Sequence, residues 1–159
     1  MVWRCVVLAV VFTTSATCLS AEPSNISGVA SVIDADTIEV HGQRIRLFGI
    51  DAIESSQACT RDDGSTWRCG KDSAFALADH IARSPIDCDV RDVDRYGRLI
   101  AVCRKGKEDI NAWLVRNGWA VAYTDYSVDY VGEQRLAEKE KRGIWSASFE
   151  MPWTWRRNR

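Results

Sequence analysis

No stretch of this 159-residue chain is long and apolar enough to span a membrane. Its longest apolar run, from Cys5 to Phe12 within "MVWRCVVLAVVFTTSATCLSA", falls well short of the about 20 residues that a spanning helix needs. One arginine precedes that run and small residues follow it, the layout of a secretory signal peptide. Cleavage is expected after Ser20 or Ala21, so residues 1–21 read as a signal peptide and 22–159 as the mature protein, secreted or periplasmic. A positive excess is lacking too. Removing residues 1–21 takes away Arg4 and no acid, leaving 20 basic residues against 22 acidic ones. That balance excludes a general nucleic-acid coating protein, so any phosphate recognition has to be local. The chain also lacks internal repeats, low-complexity tracts and an interdomain linker, which leaves one domain with one core. The closing "WRRNR" is a small basic patch, expected to be a solvated tail.

Histidine is scarce, with two residues, and no cysteines stand close enough together for a zinc knuckle. Four cysteines remain after the signal: Cys59, Cys69, Cys88 and Cys103, with gaps of 10, 19 and 15 residues. An even number in an exported chain points to disulfides. Cys88 and Cys103 flank "DVRDVDRYGRLIAV" almost symmetrically and would face each other across a hairpin. Cys59 and Cys69 would then close the loop "CTRDDGSTWRC". His41 and His80, without a Ser/His/Asp context, carry no catalytic expectation.

The first half of the mature chain alternates apolar and polar residues in "SGVASVIDADTIEVHGQRIRLFGID", with His41-Gly42 as a turn between strands. In "KDSAFALADHIARS" the residues Ala74, Leu77, Ala78 and Ile81 fall at helical spacing, with Asp72 as the expected N-cap and Pro85 beyond the end. Two strands are expected around Cys88 and Cys103. "EDINAWLVRNG" reads as a second helix stopped by Gly118. "YVGEQRLAEKEKRG" reads as a third, supported by Glu138 and Arg142 at i, i+4 and ended by Gly143. This order predicts an α+β domain, and a small closed barrel with appended helices would leave no exposed sheet edge.

Charge placement raises the question of function. Read as one strand, "IRLFGIDAIE" puts Arg46 on a face with Phe48 and Ile50, and Asp51 on the other face with Leu47 and Gly49. Alone, Arg46 reads as a surface residue, and Asp51 with Glu54 as turn acids. A second cluster, "VIDADTIEV", offers Asp34 and Asp36. Asp36 and Asp51 on adjacent strands, with a backbone carbonyl beside them, would form an oxygen-only site for a hard cation such as calcium. "DRYGRL" adds Arg98 after a glycine turn. A Lewis acid, two guanidiniums and a separate carboxylate are what phosphodiester hydrolysis requires.

The segments "VIDADTIEV", "IRLFGIDAIE", "DRYGRLIAVC", "NAWLVRNGWAVAY" and "KEKRGIW", in this order, resemble the thermonuclease family of staphylococcal nuclease-like domains. The resemblance covers nearly all the mature length. It implies an α+β fold built on a five-stranded OB-fold β-barrel with three helices. It implies calcium ligated by the carboxylates of Asp36 and Asp51 and the carbonyl of Ala52, with Glu54 as the catalytic base. Arg46 and Arg98 match the phosphate-binding arginines, and Tyr96 and Tyr123 match positions that contact the nucleotide. The implied activity is calcium-dependent hydrolysis of single-stranded or loosened DNA or RNA, by a monomer. The chain departs from the family pattern at Ala35, where glycine is usual, and in "DAIE", which stands for "DTPE". These changes bear on metal binding and on the pose of Glu54. The chain also resembles small nuclease-like proteins of rhizobial exopolysaccharide (succinoglycan) gene clusters, which implies the alternative of a weakly catalytic accessory protein.

Overall fold

The computed structural model describes residues 25–159; the expected signal peptide, with Cys5 and Cys18, lies outside the described residues. The chain starts with β1 (Asn25–Val29), β2 (Ser31–Asp34), β3 (Thr37–Val40), β4 (Gln43–Leu47) and the short β5 (Ile50–Ala52). A small ladder of β6 (Cys59–Thr60) and β7 (Thr66–Trp67) leads into α1 (Cys69–Ile81). The long hairpin β8 (Pro85–Val93) and β9 (Leu99–Lys105) follows, then β10 (Glu108–Asp109), α2 (Ile110–Arg116) and β11 (Ala120–Ala122). Helix α3 (Val131–Lys139), a 3-10 turn (Gly143–Ser146) and α4 (Pro152–Arg157) close the chain.

The main sheet runs β1-β8-β9-β4-β3-β2. Its two ends are β1 and β2, consecutive in sequence and separated by Ala30 alone, so one chain segment serves both edges of a strongly curled sheet. Only the β4–β9 pair is parallel. Together with the flanking helices this is an α+β, OB-like architecture.

Local chemistry accounts for the elements. His41 and Gly42 both take positive φ, 52° and 79°, the geometry of a two-residue hairpin turn, and they join β3 to β4 as expected. Helix α2 is capped by the Asp109 carboxylate, which accepts from the Ala112 N–H at 2.9 Å. The core gathers Ile38, Ile45, Leu47, Ile50, Leu77, Ile86, Ile110 and Leu114, all essentially inaccessible. Each such side chain contributes about 1.5–3 kcal/mol by leaving water. Both disulfides form as expected, Cys59–Cys69 and Cys88–Cys103, the latter between directly opposed residues of β8 and β9.

Four expectations need correction. First, "IRLFGIDA" is two strands: β4 stops at Leu47 and the chain turns through Phe48–Gly49, with Gly49 at φ +72°. The face assignment of Arg46 with Ile50 therefore fails. Second, α1 starts three residues before Asp72, because Cys69 is tied to Cys59, and Asp72 accepts from the Trp67 indole at 2.6 Å instead of capping. Third, Arg142 lies beyond α3, pairs with Glu140, and leaves Glu138 to Gln134. Fourth, the described residues hold four α-helices, not three. The fourth takes in part of the expected solvated tail, is begun by Pro152 in the first turn and is docked through Trp153.

Candidate functional site

A cleft of about 650 Å³ opens on one side of the barrel, and Asp36, Arg46, Glu54, Tyr96, Arg98 and Tyr123 all line it. Asp36 stands in the turn between β2 and β3, and Arg46 is opposite Thr37 across the β3–β4 pair. The strand β5, paired with β11, holds Asp51 fully buried, with Ala52 beside it. Glu54 follows just beyond β5, where the chain leaves the sheet.

These groups form one ion-pair network. The Arg46 guanidinium bridges the carboxylates, with Nη1 2.9 Å from Asp36 and Nη2 2.8 Å from Asp51. Asp36 also accepts from the Thr37 hydroxyl at 3.0 Å and from the Ala52 N–H at 3.2 Å. Asp51 is met from the other side by Arg156 of α4, whose Nη2 and Nη1 lie 2.7 and 3.1 Å from its two oxygens. The same Nη1 donates to Glu54 Oε1 at 2.8 Å. Glu54 Oε2 has no protein donor among the described residues. Asp34 adds a further carboxylate, accepting from the Ala35 N–H at 2.8 Å and the Ser55 hydroxyl at 2.9 Å.

Burial pushes the Asp51 carboxyl above the ordinary aspartate value, and nearby Asp36 adds to the rise, while Arg156 and Arg46 pull it back. Asp34 is raised in the same way, by burial first, with Asp36 and Glu54 contributing. Burial alone would lower both arginines, yet their carboxylate partners outweigh it and raise them, so both stay charged.

Arg98 and Tyr96 come from the β8–β9 turn on the opposite rim. Asp94 holds that turn, accepting from the Tyr96 and Arg98 N–H groups and from Arg98 Nε at 2.7 Å. Those bonds outweigh burial and lower the Asp94 carboxyl. Arg98 Nη1 and Nη2 keep no protein acceptor among the described residues. Tyr96 is 69% exposed. Tyr123 follows β11 and stacks on Trp153 of α4, with ring centroids 5.6 Å apart and planes inclined by 13°.

The structure thus brings together Asp36, Arg46, Asp51, Ala52 and Glu54, and places Arg98, Tyr96 and Tyr123 around the same cleft. Sequence reading missed Arg156 and Trp153. Pro152 at the first turn of "PWTWRR" could have signalled the helix, but not the surface it docks on.

The donor set suits a hard cation. Asp36 and Asp51 share the Arg46 guanidinium, and the donors they offer are oxygen only. Four carboxylates, Asp34, Asp36, Asp51 and Glu54, face two guanidiniums, Arg46 and Arg156. The balance is two negative charges, the complement of one divalent ion. Among the described residues no three His, Cys, Asp or Glu converge on a point, so the ligand set would be completed by backbone and water oxygens.

Comparison with known proteins identifies the family. Residues 44–147 match the family model "Staphylococcal nuclease homologue". The chain is 43% identical over 134 residues to "Succinoglycan biosynthesis protein ExoI" of Rhizobium meliloti (strain 1021), spanning 82% of this chain and 69% of that protein. It is 33% identical over 147 residues to "Micrococcal nuclease" of Shigella flexneri, spanning 81% and 79%. It is 30% identical over 158 residues to an "Uncharacterized endonuclease" of Haemophilus influenzae, spanning 94% and 82%.

Proposed function

The chain belongs to the staphylococcal nuclease family, and from that premise we propose that it is an exported calcium-dependent phosphodiesterase acting on DNA or RNA. The observation that carries this reading is the Asp36–Arg46–Asp51 bridge with Glu54 beside it in one cleft. A phosphodiester in that cleft would meet guanidinium donors from two sides, Arg46 from β4 and Arg98 from the β8–β9 turn. Both retain N–H groups for phosphate oxygens, whose charge grows as the phosphorus becomes pentacoordinate. Glu54 Oε2 is open to a water and can orient it and take its proton. Calcium bound by Asp36 and Asp51, with the Ala52 carbonyl, would supply Lewis-acid polarisation of a phosphoryl oxygen. Tyr96 and Tyr123 at the rims suit a base or sugar of a single strand, since a paired duplex would hold its bases out of reach. The protein acts as a secreted or periplasmic monomer in this reading.

A second reading rests on one observation, the 43% identity to a protein named for succinoglycan biosynthesis. On it, the chain is a weakly catalytic or non-catalytic accessory protein of exopolysaccharide production. Digestion of single-stranded DNA, RNA and succinoglycan in calcium, with EGTA as control, separates the two. Calcium-dependent cleavage of either nucleic acid supports the nuclease. Indifference of both nucleic acids to the protein supports the accessory role.

A further inference from the structure

Arg156 belongs to no part of the reaction described above, yet it is the residue that ties Asp51 to Glu54. Its hydrogen bonds use up one edge of the guanidinium. Nη1 and Nη2 grip the two oxygens of Asp51, and the second Nη1 hydrogen goes to Glu54 Oε1. An arginine carries five N–H donors in a rigid plane. The remaining pair, Nε–H and the second Nη2–H, point the same way along the guanidinium's side edge. Neither has a protein acceptor among the described residues. The side chain is 37% exposed and lines the cleft, so that edge is open to a ligand.

Arg46 shows the same arrangement. It too spends Nη1 and Nη2 on carboxylates, lines the cleft, and keeps Nε without a protein acceptor among the described residues. Both guanidiniums approach the buried Asp51, one from β4 and the other from α4. What fits one to phosphate therefore fits the other. We propose that Arg156 is a third phosphate-binding residue, gripping two oxygens of a substrate phosphate through its side edge while its other edge holds Asp51 and Glu54 in place. This rests on the nuclease reading of the cleft and extends it to the C-terminal helix. Helix α4 then supplies two parts of the substrate site, the cation at Glu54 and the Trp153 ring beneath Tyr123. A neutral ligand would gain nothing from that edge. A ligand with phosphate on both sides of a sugar would gain most, because Arg46, Arg98 and Arg156 all line the cleft.

The test is calorimetric titration of a nucleoside 3′,5′-bisphosphate, which has no internucleotide bond to cleave, into the mature protein in millimolar calcium. Arg156→Gln is expected to weaken binding on the order of tenfold to a hundredfold, the worth of charge-assisted hydrogen bonds. Arg156→Lys should recover part of that loss, because it restores the charge without the planar edge. Arg157→Gln, an exposed neighbour on the same helix, should change affinity by less than about twofold. The affinity of Arg156→Gln should also depend less steeply on salt than that of the wild type, which a residue acting only on the fold would not alter. If Arg46→Gln weakens binding and correctly folded Arg156→Gln and Arg156→Lys both bind like wild type, the proposal is wrong and the nuclease reading stands. If the wild type itself does not bind the bisphosphate, the phosphate reading of the cleft falls, and this proposal with it.

Discussion

Gly70 lies directly against the backbone of Glu54: a methyl group added at Gly70 would sit 1.8 Å from the Glu54 carbonyl oxygen and 2.6 Å from its carbon. The first turn of α1 thus fixes where the chain carrying Glu54 can go, and Cys69 next to Gly70 is bonded to Cys59. Backbone on both sides leaves no flexible group to yield. Gly70→Ala should therefore cost about 1–3 kcal/mol in denaturant unfolding, the range for overpacking. If calcium-dependent cleavage is present, turnover should fall more than substrate affinity, because the displaced residue is the base while the phosphate clamp is untouched. A Gly70→Ala protein with wild-type stability would show that α1 and the Glu54 segment are not held in contact.

The two disulfides set the second expectation. Thiol titration of the exported protein under denaturing conditions should find no free thiol, and peptide mapping should recover Cys59–Cys69 and Cys88–Cys103. Each loop closure contributes about 2–4 kcal/mol in the chain-entropy account. Their removal should differ in kind. Losing Cys88–Cys103 releases only a cross-link between strands already paired along β8 and β9. Losing Cys59–Cys69 also releases the start of α1 beneath Glu54, so the Cys59→Ser/Cys69→Ser pair should lose activity beyond its loss of stability.

How much of this was legible in the sequence depends on the range of each contact. The His41-Gly42 hairpin, the α1 stripe of Leu77 and Ile81, and the α2 helix ahead of Gly118 are local, and local pattern predicts them. Asp36 and Asp51 were expected on adjacent strands, but Asp36 stands in the β2–β3 turn and Asp51 on β5, whose partner is β11, and the Arg46 bridge is what joins them. Counting the alternation failed at Phe48–Gly49, where a turn with positive φ interrupts it and sends Asp51 inward. Arg156 was illegible for a different reason. Its contact with Asp51 spans 105 residues, and no periodicity in a six-residue helix says which surface its tryptophans will cover. Tertiary packing through Trp153 and Tyr123 places it, and only a structure carries that information.

Asp34 gives a pH test. Its carboxyl is raised above the usual 3.8 by burial first, with Asp36 and Glu54 adding to the rise. The native state therefore holds that proton more tightly than the unfolded chain does. As pH rises from below 3.8 through the folded value, Asp34 progressively lowers stability, and the penalty is complete above that window. Asp34→Asn keeps the acceptor oxygen for the Ala35 N–H and the Ser55 hydroxyl but cannot ionise. Without calcium, its melting temperature should exceed that of the wild type at pH 7. The difference should shrink to nothing once the pH falls below 3.8. An Asp34→Asn protein less stable than wild type at pH 7 would mean that the charge is being stabilised by groups other than those described.

The decisive variants for catalysis are Glu54→Gln and Arg98→Ala, because each removes one role from an otherwise intact cleft. Glu54→Gln keeps an oxygen that can accept from Arg156 Nη1, so the tie to α4 can persist, but the amide cannot take a proton from water. A positioned base contributes about 10²- to 10⁴-fold. Cleavage of single-stranded DNA in calcium should therefore fall by that range, while affinity for an uncleaved nucleotide stays near wild type. Arg98→Ala acts differently. Its Nη groups face the cleft without a protein partner among the described residues, and its Nε is already given to Asp94. Removing it deletes charge-assisted bonds that strengthen as the phosphoryl oxygens gain charge, so turnover should fall with a smaller loss of binding. Asp94 then loses a cationic partner but keeps the Tyr96 and Arg98 N–H donors, so the turn should survive and the melting temperature should change little. Wild type and variants must be purified in parallel, since trace host nuclease would mask a loss of this size. Equal cleavage by Glu54→Gln and wild type would remove Glu54 from the reaction.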